Sequence, residues 1–185
     1  MLTGSQLDAA VRNLVSLSRP LHNRVYGRAI RFRHKDDLLG RGRRITDQRF
    51  NVAGGARILY LGHDYYIALQ ETQALGGVVL SAWVIFPVWV HLNAVVHLRD
   101  PKVQRLLQTD IVELTANFRA LPSPTPTQQL GEACARHGRI DGLLFPSAIN
   151  RKWTNLAVIE QGLYNLTSSI GVDDPDNGLS DKLPP

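Results

Sequence analysis

Residues 48–71 read Q-R-F-N-V-A-G-G-A-R-I-L-Y-L-G-H-D-Y-Y-I-A-L-Q-E, and the backbone period changes within them. Ala53-Gly54-Gly55 is a turn signal, and residues 57–61 (R-I-L-Y-L) have the content of a short strand. Asp64 then offers an N-cap, Ile67, Ala68 and Leu69 begin an apolar face, and Gly76-Gly77 are expected to stop the helix. Turn, strand and helix in immediate succession place Arg49, Tyr60 and Glu71 at equal steps of eleven positions. An anion binder, an aromatic face and a carboxylate are thereby gathered on three adjoining pieces of backbone.

On the N-terminal side, Leu7, Ala10, Val11, Leu14 and Leu17 are spaced for one helical face, and Pro20 closes that segment. Residues 24–49 carry nine Lys/Arg against Asp36, Asp37 and Asp47, more than the whole chain's net charge of +5. Such a block can face phosphates, nucleic acid or an acidic partner, or be a solvated face. On the C-terminal side, residues 76–96 hold no charged side chain, long enough for a membrane span. Ser81, Pro87, His91 and Asn93 interrupt the run, so two short buried strands broken near Pro87 fit better.

Further along, R-D-P at 99–101 starts a short helix through Leu107, and 121–127 (L-P-S-P-T-P-T) reads as a linker. Thr127 is expected to cap a helix through Arg136, closed by Gly138. Residues 142–145 and 156–160 read as strands around an irregular loop. From Gly171 onward, four aspartates stand against Lys182 with little to bury, and the tail is expected to be disordered. Residues 1–23 thus form an N-terminal helical segment, 24–170 the body and 171–185 an acidic tail. Helices and strands do not alternate regularly, which gives an α+β class: one domain, a mixed central sheet and flanking helices.

The chain's 185 residues suffice for one domain with a sizeable core. A single cysteine, Cys134, excludes an internal disulfide and a cysteine-based zinc site and fits a reducing compartment. No basic segment followed by an apolar run marks a secretory leader. His22, His34, His63, His91, His97 and His137 show no metal-ligand spacing, so no metal is expected. The glycines at 40, 42, 54 and 55 match neither a phosphate loop nor G-x-G-x-x-G, and no G-x-S-x-G elbow is present.

Singly, Arg49 could be a surface ion-pair partner, Tyr60 a core tyrosine, Glu71 an exposed helix residue and Ser147 a turn residue. Their order changes the reading. With R-A-I-R-F-R at 28–33, D-D-L-L-G-R-G at 36–42, Q-R-F-N at 48–51 and I-L-Y-L at 58–61, the chain resembles the RES-domain family. A-L-Q-E at 68–71, T-Q-Q-L-G-E-A at 127–133, G-L-L-F-P-S at 142–147 and T-N-L at 154–156 continue the resemblance. This family comprises toxin halves of bacterial toxin–antitoxin pairs.

The resemblance implies a fold like the ADP-ribosyltransferases and destruction of cellular NAD by cleavage of its nicotinamide–ribose bond, through hydrolysis or phosphorolysis. It implies Glu71, Arg28, Tyr60 and Ser147 as catalytic residues, with Arg28, Arg31, Arg49, Tyr60 and Asn155 binding NAD. Arg28 or Arg31 is the first site arginine. Glu71 would stabilise a cationic ribose, the arginines would hold the pyrophosphate, and Tyr60 would stack on the nicotinamide or wall its pocket. Ser147 would hydrogen-bond the ribose or carboxamide. NAD is substrate and no cofactor is implied. The implied partner is a cognate Xre-type DNA-binding antitoxin, in the cytoplasm, with neither membrane nor direct nucleic-acid binding. Two other readings are a mono-ADP-ribosyltransferase acting on a protein and a basic nucleic-acid-binding module. Where the family has Gly-Gly before its Arg-Phe pair, this chain has Asp47-Gln48, which bears on the shape of that loop.

Overall fold

The computed structural model describes residues 1–40, 45–74, 82–174, 176 and 181–184. Helix α1 (Gly4–Leu17) leads into strand β1 (Arg19–Arg31), followed by β2 (Ile58–Leu61) and α2 (Tyr65–Ala74). The long β3 (Trp83–His97) is followed by α3 (Pro101–Leu107), α4 (Ile111–Thr115) and α5 (Pro126–His137). Strands β4 (Gly142–Pro146) and β5 (Thr154–Ile159), helix α6 (Glu160–Leu166), and strands β6 (Ser169–Val172) and β7 (Lys182–Leu183) complete the chain. The architecture is the α+β class expected from the sequence, a mixed sheet with helices packed around it.

The sheet runs β2-β5-β4-β3-β6-β7, with β1 antiparallel along the other edge of β3. Parallel pairing occurs between β3 and β4; the other ladders are antiparallel. On one edge of β3, β6 occupies Val88–His91 and β4 occupies Val95–His97. The buried Asp141 fills the gap between them. Its carboxylate accepts from Asn93 N (2.7 Å), Ala94 N (3.1 Å) and Ser168 Oγ (2.5 Å). Every donor that the change of partner strand leaves facing it is thereby satisfied.

Strand alternation divides the core. Ala157 and Ile159 of β5 join Phe145 and Val96 beneath α1, α3 and α5, where Leu7, Leu14, Val103, Leu107, Leu130 and Cys134 are buried. Leu156 and Val158 face the other way, against Tyr26, Ile30, Leu61, Val88, Val90, Leu163 and Ile170. Each fully buried leucine contributes roughly 1.5–3 kcal/mol of transfer free energy. Burial also pushes the Cys134 thiol up to about 12, so it is an inert core residue.

Several local expectations are corrected. The charge-free run does not hold two strands broken at Pro87, because β3 is continuous from Trp83 to His97. Pro87 is tolerated since its partner across β1, Gly27, turns its own N–H and C=O away to Gly62. The Pro87 carbonyl points to the opposite edge, accepting from Asp173 N at 3.0 Å beyond the end of the β6 ladder, where no ladder donor is required. Helix α5 is capped by Thr125, not Thr127: Gln128 N donates to Thr125 Oγ1 and Thr125 N to Gln128 Oε1, with Pro126 at the first helical position. The strand expected at 156–160 ends at Ile159, where Glu160 opens α6. The tail is not without structure among its described residues. Leu183 is buried and pairs with Ile170. The helix stop expected at Gly76-Gly77 lies outside the described residues. Among those residues no helix is long and apolar enough to cross a membrane.

The sheet curls until β1 meets β2. Gly27 N donates to Gly62 O at 3.0 Å and Gly62 N to Gly27 O at 2.9 Å. The start of α2 lies directly on this bridge. A Cβ on Gly27 would lie 2.3 Å from the Asp64 carbonyl, and one on Gly62 would lie 2.5 Å from Ala68 N. Both obstacles are backbone and cannot swing aside. Gly27→Ala and Gly62→Ala should therefore each lower unfolding free energy by more than ~2 kcal/mol in urea melts, the overpacking range. Gly54→Ala, whose Cβ meets open space, should lose only the ~1 kcal/mol of its left-handed backbone.

Candidate functional site

Asp64 Oδ1 accepts from Ile67 N at 2.9 Å and so starts α2 at the closure, which puts Glu71 two turns along the helix. Glu71 Oε1 accepts from Ser147 Oγ (2.5 Å) and from Asn155 Nδ2 (2.7 Å). Both donors are fixed by their own surroundings. The Ser147 hydroxyl oxygen accepts from Ile149 N (3.1 Å) and Asn150 N (3.3 Å), so its single proton goes to the carboxylate. Asn155 Oδ1 accepts from His63 N (3.3 Å), which orients the amide with its NH2 toward Glu71. Ser147 and Asn155 are buried at the ends of neighbouring strands β4 and β5. With Oε1 taking both donors, Oε2 is the atom left to meet a ligand.

Glu71 and Asn155 open onto a cavity of about 320 Å³, within the range of small-molecule sites. The cavity passes around the edge strand β2. Arg49, Phe118 and Phe145 line it on one side; Arg28, Leu39, Val158 and Leu183 line it on the other. Arg28 donates from Nε to Leu38 O (2.8 Å) and from Nη1 to Tyr60 O (3.1 Å). Arg31, three positions along the same strand, points oppositely, lies exposed over the Trp83 ring at 6.0 Å and does not line the cavity. Geometry thus selects Arg28 over Arg31 as the arginine that reaches the pocket.

Arg49 sits 5.6 Å over Phe118 and donates from Nη1 to Leu114 O (2.8 Å) and Ala116 O (3.0 Å). Burial pulls its pKa down, while Glu71 and then Tyr60 oppose that shift; a guanidinium so placed stays charged. Nη1 is committed to the end of α4, which leaves Nε and Nη2 for an anion.

Tyr60 lines the cavity with its ring, but its hydroxyl is buried, and desolvation pushes its pKa well above the usual phenol value. The hydroxyl donates to Asn51 Oδ1 (2.9 Å) and accepts from Phe50 N (2.9 Å), and the ring stands edge-on to Phe145. The tyrosine is therefore a wall of the pocket and a clamp on the Arg49 loop. A hydroxyl tied on both sides fixes the ring in the cavity wall.

Helix α5 holds the same loop from behind. Gln128 Nε2 donates to Gln48 O (3.0 Å) and Asn51 O (3.3 Å), and Glu132 accepts from Val52 N and Ala56 N. A Cβ on Gly131 would lie 1.8 Å from Phe50 O. The T-Q-Q-L-G-E-A segment thus supplies the seat of the arginine loop, a role its sequence alone does not disclose. Asp47 and Gln48 sit without backbone strain: neither has a positive φ, and Asp47 Oδ1 accepts from Ala53 N at 2.7 Å. Asn51, Gln128 and Glu132 are site residues that sequence reasoning missed as individuals, though each lies in or beside a quoted motif. Among the described residues no group of three His, Cys, Asp or Glu could hold a metal.

Tyr60→Phe should leave Asn51 Oδ1 and Phe50 N without their buried partner. A loss of roughly 1–3 kcal/mol in unfolding free energy is expected by urea titration, with a weaker grip on Arg49.

A RES domain family model matches residues 17–170. No curated protein sequence matches the chain. Among solved structures, the Mycobacterium tuberculosis MbcT–MbcA toxin–antitoxin complex contains a similar chain: TM-score 0.64 and 18% identity, over 84% of this chain and 82% of that one. At that identity the likeness concerns the fold. The match over residues 17–170 takes in the Arg49 loop, the closure at Gly62 and the Glu71–Ser147–Asn155 cluster, and the chain belongs to the RES domain family.

Proposed function

We propose that this chain is the toxin half of a toxin–antitoxin pair and that it degrades NAD by cleaving the nicotinamide–ribose bond. The observation that carries the reading is a carboxylate, Glu71, held by two buried donors in the cavity that also receives Arg28 and Arg49. In NAD the nicotinamide nitrogen is cationic, so the C1′–N bond can break with its electron pair passing to a neutral leaving base. No strong general acid is needed. The ribose left behind carries oxocarbenium character, which a fixed anion stabilises more than it stabilises the substrate.

Each residue then has a physical task. Glu71 Oε2 faces the developing cation and accepts from a ribose hydroxyl. Ser147 and Asn155 position that carboxylate by occupying Oε1, so Ser147 acts on the reaction through Glu71. Arg49 Nε and Nη2, with Arg28, hold the pyrophosphate by charge-assisted hydrogen bonds. Phe118, Phe145 and the Tyr60 ring form an apolar wall of the site. Water or phosphate then adds to C1′, yielding ADP-ribose or its 1-phosphate. The antitoxin, of the Xre DNA-binding type, would keep this cavity closed in the cytoplasm; a solved toxin–antitoxin complex that contains a chain of similar fold supports an antitoxin partner. Against a nucleic-acid module stands the placement of Arg28 and Arg49, which turn inward from the basic block.

Two sets of variants test the reading in purified protein, with nicotinamide release as the readout. Glu71→Gln should keep the fold and lower turnover at least ~100-fold, the scale of one preorganised electrostatic group; wild-type turnover in the folded variant would remove Glu71 from the mechanism. Arg28→Lys and Arg49→Lys should raise KM because an ammonium lacks the planar fork, whereas Arg31→Lys should be close to wild type. The reverse order between Arg28 and Arg31 would contradict the geometry.

A further inference from the structure

The described C-terminal residues stand at the cavity, beyond residue 170 where the family match ends. β7 is held by Ile170↔Leu183 and Gly171↔Lys182 pairing and by Val172 N donating to Asp181 O at 2.8 Å. On its outer side the Lys182 ammonium lies 5.9 Å over the Trp89 ring. Leu183 is 4% exposed and lines the cavity.

The neighbouring Asp181 reaches further. Its Oδ2 accepts from Leu39 N at 3.0 Å, and the preceding carbonyl, Leu38 O, accepts from Arg28 Nε at 2.8 Å. Arg57 Nη1 donates to Gly40 O (3.3 Å) in the same turn. The C-terminal strand is therefore joined through one turn to the arginine that enters the site.

We propose that β7 is part of the substrate site: Leu183, with Leu39, Leu163 and Ile170, walls a chamber for the adenine ring, and Asp181 steadies the turn that orients Arg28. This rests on the dinucleotide reading above. The two ends of the cavity differ in a way that sorts the two bases of such a ligand. The Glu71 end carries a fixed anion and suits the cationic nicotinamide half. The β7 end is walled by four aliphatic side chains and suits the apolar faces of a neutral ring, which costs far less to desolvate than a cationic one. Glu160, the first residue of α6, also lines the cavity, and its carboxylate can accept from the exocyclic amine of adenine. Arg28 and Arg49 both line the same cavity and supply the cations a pyrophosphate needs.

Titration calorimetry with adenosine monophosphate, nicotinamide mononucleotide and NAD tests this on the full chain. Leu183→Ala should weaken adenosine monophosphate by ~10-fold or more, on the scale of a lost apolar wall, and leave nicotinamide mononucleotide within about twofold. Unchanged affinity for adenosine monophosphate in the folded variant, or equal weakening of both halves, overturns the chamber. Wild-type protein that binds NAD and nicotinamide mononucleotide but not adenosine monophosphate also overturns it and leaves the dinucleotide reading standing. Protein that binds none of the three removes the dinucleotide reading itself. Should Leu183→Ala not fold, hydrogen exchange on wild-type protein decides. Adenosine monophosphate should slow exchange at the Leu39 and Val172 amides, which Asp181 holds, and nicotinamide mononucleotide should not. The same slowing by both, or by neither, contradicts the proposal.

Discussion

The contact of Gly27 with Gly62 is the constraint on which the site depends. Two reciprocal hydrogen bonds close the sheet there, and the absence of two Cβ atoms lets the backbone of α2 rest on the closure. Three site residues radiate from it: Arg28 is the next residue on β1, Tyr60 lies two before Gly62 on β2, and Glu71 is in the helix seated on top. Their mutual distances follow from a backbone bridge, which is stiffer than any side-chain contact. The carboxylate then needs only Ser147 and Asn155, at the ends of β4 and β5, to fix its rotamer.

The second arginine is placed by different means. No regular element carries Arg49; it lies on a loop held from three sides. Tyr60 grips Phe50 N and Asn51, Gln128 and Glu132 take the backbone from α5, and the Leu114 and Ala116 carbonyls take the guanidinium. A loop with this many partners approaches the rigidity of a strand, which anion binding at a fixed distance from a carboxylate requires. It also explains why Asp47 and Gln48 are accommodated: the partners act on main-chain atoms, and the backbone there stays in ordinary conformations.

Sequence reading reached furthest where causes are local. The cap at Asp64, the strand before it and the equal spacing of Arg49, Tyr60 and Glu71 depend on neighbours within a few positions, and the structure places all three residues on one cavity. It fell short where the deciding partner is remote. Nothing near Tyr60 announces that its hydroxyl will be consumed by Asn51 and Phe50 N. Glu132 meets Val52 across 80 positions and Asp181 meets Leu39 across 142, so neither role has a local signal. Pro87 reads as a strand breaker because its tolerance is set by Gly27 turning toward Gly62. The acidic tail reads as disordered because the residue that orders it, Leu183, is one apolar side chain whose partner strand lies across an intervening polar stretch.

The proposed activity is chemical: a fixed carboxylate and two arginines around one cavity would cleave NAD at the nicotinamide–ribose bond. Its most direct test is a proton NMR time course of the purified, antitoxin-free chain with NAD, run once in phosphate and once in phosphate-free buffer. Free nicotinamide should appear in step with the loss of NAD, with the remaining ADP-ribose moiety carrying water or phosphate at C1′. NAD that stays intact in both buffers, with protein shown to be folded, would contradict the account.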